Sequence, residues 1–80
     1  MARLPNEEKV YLHIIRQDYA RTLCAYEADP CEFNLAAHEE VKARRSRAVR
    51  ELGEDFSVKE IAALLRMSKT AVREALVGGE

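Results

Sequence analysis

The chain has 80 residues, of which 38 are hydrophobic, 27 charged, three glycine and two proline. That length allows one small domain, residues 1–80, burying about 60% of its unfolded surface, so a lone monomer is marginal and self-association is expected. The composition excludes disorder and collagen-like structure, no apolar run approaches the ~20 residues of a membrane span, and residues 1–5 do not read as a signal peptide. The expected location is the cytoplasm.

Twelve alanines, eight leucines and the many charged residues favour helix, whereas Val, Ile and Thr together number eleven. No window alternates apolar and polar residues long enough for a strand. The expected fold is all-α, a four-helix single domain. The net charge of −1 hides an asymmetry: residues 1–40 hold four Lys/Arg and eight Asp/Glu, residues 41–80 nine and six. An acidic half joined to a basic half points to divided labour, with the basic half suited to a polyanion.

A first helix is expected over 6–28. Asn6 is its candidate cap, and Glu7 and Glu8 sit where the helix dipole favours negative charge. Leu12, Ile15, Tyr19, Leu23 and Tyr26 recur at steps of three and four and form one apolar stripe. Val10 and Ile14 lie nearly opposite, with Tyr11 between, so this helix has apolar surface beyond the stripe that packs internally. These three residues are the candidate dimer contact.

Asp29-Pro30 closes the first helix, because proline disfavours helical geometry in the residue before it. The second helix starts near residue 30, with Asp29 as cap and Glu32 completing a capping-box-like pattern, or near 34, with Asn34 as cap. It runs to Leu52, with Leu35, Val41, Ala48, Val49 and Leu52 inward and Gly53 as its stop. From Lys42 to Arg50 it holds five basic residues and no acid. Arg44, Arg47 and Arg50 step by three and are expected on one outward side. Lys42 and Arg45 fall nearer the apolar stripe and must snorkel outward.

Ser57 and Glu60 form a capping box for a short helix, Val58–Leu65, with Ile61, Leu64 and Leu65 as its apolar face and Phe56 over its open end. Arg66-Met67 is a tight turn, Ser68 caps again, and a second short helix over 69–77 ends at Gly78-Gly79. Two short helices joined by about three residues are a helix-turn-helix, here over 56–77. Ala62 stands where the second helix must approach closely, Met67 plugs the turn, and Val72 and Leu76 hold the second helix down, with Ala71 and Ala75 keeping the crossing tight. Lys69, Thr70, Arg73 and Glu74 point outward on that helix.

The set Ile61-Ala62-x-x-Leu65-x-Met67-Ser68-x-x-x-Val72-x-x-x-Leu76 resembles the helix-turn-helix of small bacterial, phage and plasmid repressors, and also the DNA-binding ends of resolvases and transposases. It spans roughly a quarter of the chain. The pattern departs at Arg66, where such turns usually have glycine because the backbone takes positive φ. The resemblance implies a recognition helix in the major groove, with Ser68, Lys69, Thr70 and Arg73 at base edges or phosphates. Ser57, Lys59 and Arg66 would lie near phosphates, and Arg44, Arg47 and Arg50 along the DNA backbone.

Cys24-x6-Cys31-x6-His38, with His13 more distant, lacks the close ligand pair of common zinc motifs. The thiols read as small apolar core groups and the histidines as ordinary, so no metal is expected. No glycine-rich phosphate loop or nucleophile–histidine pairing is present, and paired acids such as Glu39-Glu40 belong to solvated faces. The chain is not expected to be an enzyme or to need a cofactor, and no small-molecule ligand is evident. The expectation is a homodimeric transcriptional regulator of double-stranded DNA, most simply a repressor. Two other classes fit: a protein-interaction module of antitoxin or anti-activator type using the helix-turn-helix as scaffold, or an architectural or recombination-accessory DNA binder. Steep salt dependence separates DNA binding from an apolar protein interface.

Overall fold

The computed structural model describes residues 4–78. Among them the regular structure is four helices: α1 (Asn6–Ala28), α2 (Glu32–Leu52), α3 (Val58–Leu65) and α4 (Lys69–Gly78). The all-α expectation holds, and no helix is long and apolar enough to cross a membrane.

α1 and α2 form an antiparallel hairpin. Asp18 pairs with Arg44, Thr22 with His38, and Asn34 with the Ala25 carbonyl, so positions rise on one helix as they fall on the other. α3 and α4 pack at the base of this hairpin, α3 against α1 and α4 against both α2 and α3. One core joins all four helices: Leu12 and Ile15, Ala48, Val49 and Leu52, Ile61 and Leu65, and Val72. Five of these side chains, Leu12, Ile15, Val49, Ile61 and Val72, are fully buried, and each stabilises the fold by about 1.5–3 kcal/mol. Phe56, Ala62, Met67 and Leu76 pack against that core as their spacing predicts. The molecule measures 42 × 27 × 17 Å, and its length comes from the hairpin.

Several local expectations are corrected. Asn6 is the first helical residue rather than the cap. Pro5, extended at φ −62° and ψ 154°, precedes it and accepts the first helical bond from Lys9 at 3.0 Å. Neither Asp29 nor Asn34 caps α2. Asp29 closes α1 instead, its N–H bonded to the Ala25 carbonyl, and Cys31 stands at the α2 cap position without a side-chain cap bond. Asn34 Nδ2 reaches back to the carbonyls of Ala25 (3.2 Å) and Asp29 (2.8 Å), tying the end of α1 to the start of α2.

Leu35, expected inward, is 42% exposed, because it lies near the hairpin tip and away from the base where α3 and α4 pack. Cys24 and Cys31 are exposed thiols, not core groups, for the same reason. Gly53 does end α2, but in ordinary right-handed geometry at φ −61°. A Cβ there would lie 2.7 Å from Leu76 Cδ2, so its lack of a side chain serves the close approach of α4 rather than a left-handed turn. Gly78 is the last residue of α4, and Gly79 lies outside the described residues.

Candidate nucleic-acid interface

α3 begins where the sequence places it. Ser57 Oγ accepts from the Glu60 N–H at 3.2 Å, and Glu60 Oε1 accepts from the Ser57 N–H at 2.9 Å. This reciprocal box satisfies two free donors and fixes the angle at which the chain enters α3. Both residues are therefore held by the helix start, and Lys59 beside them is exposed.

Arg66 ends α3 in the left-handed region at φ 54° and ψ 47°, the conformation that glycine adopts at least cost. Its N–H and that of Met67 both bond to the Ala62 carbonyl, closing the turn. Ser68 Oγ then accepts from the Ala71 N–H at 3.0 Å and starts α4. Every junction from residue 57 to residue 71 is thus pinned by a hydrogen bond, and α4 is presented at one angle.

α4 has two faces. Val72 is fully buried, with Ala71, Ala75 and Leu76 half-buried beside it, while Lys69, Thr70, Arg73 and Glu74 are exposed. Lys59, Arg66, Lys69 and Arg73 make no ion pair among the described residues, which leaves their charges unmatched. Val77, 84% exposed, extends the same outer stripe four residues beyond Arg73. The spacing 69, 73, 77 was visible in the sequence, but an apolar residue near a helix end gives no sign of its exposure.

The basic stretch on α2 is not one outward row. A step of three on a helix drifts by about 60°, enough to carry the ends of the row to opposite flanks. Arg44 turns to α1, with Asp18 at 3.6 Å and Glu40 at 3.3 Å. Arg50 turns to α4, its Nη1 3.5 Å from the Ala75 carbonyl. Arg47 alone of the three is exposed and without an ion pair among the described residues. Lys42 lies 2.8 Å from Glu39, and its hydrogen bond and charge hold the exposed Glu39 carboxyl below the usual carboxylate range. Arg45 does not snorkel outward: its guanidinium carbon sits 3.9 Å from the centre of the Tyr19 ring.

That stack belongs to a polar cluster the sequence did not signal. His38 is buried, its ring centre 4.9 Å from that of Tyr19, and its Nδ1 lies 2.9 Å from Thr22 Oγ1. Thr22 donates its hydroxyl hydrogen to the Asp18 carbonyl within α1, and its contact with His38 ties α1 to α2. Val10, Tyr11 and Ile14 are exposed by 58%, 43% and 46%. Val10 and Ile14 share the outer face, whereas Tyr11 leans towards the base of α2 and lines a cleft with Leu52 and Phe56. Phe33, 80% exposed at the hairpin tip, is a further uncovered apolar side chain that sequence reasoning did not single out. No family model, curated protein or solved structure matches this chain.

Proposed function

We propose that the chain is a sequence-specific DNA-binding regulator, a helix-turn-helix protein that acts as a repressor by occupying its site as a homodimer. The observation that carries this reading is the outer face of α4, where Lys69, Thr70 and Arg73 stand exposed, the two cations without ion pairs among the described residues, on a helix whose entry is fixed by the Arg66 turn and the Ser68 cap. Such a helix offers a guanidinium fork for a guanine edge and short polar groups for neighbouring bases. Val77 adds an apolar group suited to a thymine methyl. Lys59, Arg66 and Arg47 supply phosphate contacts. Arg44 and Arg50 serve this interface indirectly, by holding α2 to its neighbours.

In this reading the protein acts by binding and not by catalysis, and repression requires only that it cover a promoter. One recognition helix reads a few base pairs, so a two-fold dimer through α1, at Val10 and Ile14 with Tyr11 at the edge, supplies the second. A footprint over the region upstream of the protein's own reading frame tests the whole reading. Protection of an inverted repeat, lost steeply with rising salt, supports it; salt-insensitive capture of a protein with no protected DNA replaces it with the interaction-module reading.

A further inference from the structure

A cleft of about 380 Å³ opens where α1, α2 and the turn after α3 meet. Three arginines line it, Arg16, Arg45 and Arg66, together with His13 and Gln17, and no carboxylate among the described residues does. Other basic residues of the hairpin find carboxylates, Arg21 and Arg44 with Asp18 and Lys42 with Glu39, whereas Lys9, Arg47 and Arg50 make no ion pair among the described residues. The three cleft arginines make no ion pair among the described residues.

Their placement is built rather than loose. Arg16 Nη1 donates to the Leu64 carbonyl at 2.6 Å, and Nη2 lies 3.2 Å from His13 Nδ1. Arg45 is pinned over the Tyr19 ring, with its Nε buried and unpartnered. Arg66 has its backbone set by the left-handed turn, and its side chain is exposed at the mouth of the cleft. Guanidinium groups gathered in a cleft without a counter-charge raise a positive potential there, and an anion relieves it. Ala20 gives the same cleft an exposed apolar side, with the edge of the buried Leu65 beneath it.

We propose that this cleft binds a small phosphate ester, the phosphate held by Arg16 and Arg66 with Arg45 behind them and the organic part lying along Ala20. A phosphate presents several oxygens at the geometry a guanidinium fork matches. The volume falls in the range of small-molecule sites, roughly 300–1,000 Å³. The site goes beyond the DNA reading and does not rest on it, and because the two share Arg66, a bound ester and a DNA phosphate compete for that side chain. A ligand there joins α1 and α2 to the residue that sets the angle of α4.

Thermal unfolding of the full chain tests this, with inorganic phosphate and phenyl phosphate compared against sodium chloride at matched ionic strength. Both phosphates should raise the Tm saturably, phenyl phosphate binding about tenfold more tightly through its apolar ring. Arg16→Gln should remove the rise. Arg66→Gly, which suits the backbone at φ 54°, should melt no lower than the parent and yet lose most of it. A rise that chloride reproduces, or that survives in both variants, overturns the proposal. So does the absence of any phosphate effect when Arg16→Gln weakens binding to a DNA duplex, because the cleft then takes a backbone phosphate. A saturable phosphate effect in a protein that footprints no DNA leaves the cleft standing and removes the DNA reading instead.

Discussion

Arg66 holds a conformation that a side chain resists. The left-handed backbone costs a non-glycine residue about 1–2 kcal/mol, and the turn requires it because α4 must double back onto α3 within residues 66–68. Arg66→Gly should therefore stabilise the fold by about 1 kcal/mol, part of the relieved strain being offset by the greater freedom of glycine in the unfolded chain. Urea unfolding checks this through a higher midpoint at unchanged slope; a lower midpoint would mean that the arginine side chain contributes more than its backbone costs. Arg73, exposed on the outer face of α4, is the proposed recognition residue. Arg73→Ala should lower specific DNA affinity by about 1–3 kcal/mol and relax the preference at one base pair, read by competition with point-mutated sites. Equal losses on every sequence would assign it to phosphate alone.

At the scale of the helix, the basic residues of α2 point to different surroundings. Arg44 and Arg50 face α1 and α4, and Arg47 faces solvent. Replacing Arg44, Arg47 and Arg50 together with Gln should weaken DNA binding evenly across sequences and flatten its salt dependence. Arg47→Gln alone should reproduce most of that flattening. Arg44→Gln should leave the salt slope nearly unchanged and lower stability by about 1 kcal/mol or less, the usual worth of a partly exposed ion pair. Equal slopes for the Arg47 variant and the parent would remove α2 from the DNA interface.

The assembled molecule leaves two apolar regions of the hairpin uncovered, Val10 and Ile14 on the outer face of α1 and Phe33 with Leu35 at the tip. The first is the proposed two-fold contact, because it leaves α4 and its basic residues free to face DNA, with the two copies of α4 about 34 Å apart, one turn of the duplex. Ile14→Glu would bury a charge at that contact, and sedimentation should find monomers that retain helical content but bind a full site much more weakly. Phe33→Glu is the matched control and should leave the dimer intact. The reverse outcome would move the interface to the hairpin tip.

Short-range information was enough for the α3–α4 segment. The Ser57–Glu60 box, the Ser68 cap and the alternation of Val72 with outward Lys69 and Arg73 depend on residues within one or two turns of each other, so local hydrogen bonds and helical period determine them. The inward positions Leu12, Ile15, Val41, Ala48 and Val49 were legible on the same grounds. Tertiary structure decided what depends on which neighbour is present. Leu35 has the right period to be buried, but α3 and α4 do not reach it; Arg44 and Arg50 share a helix with Arg47, but each finds a different partner across an interface. The cleft of Arg16, Arg45 and Arg66 joins residues from three separate segments. Helical period reports which side of a helix a residue occupies, and only the packing of the other helices determines what that side meets.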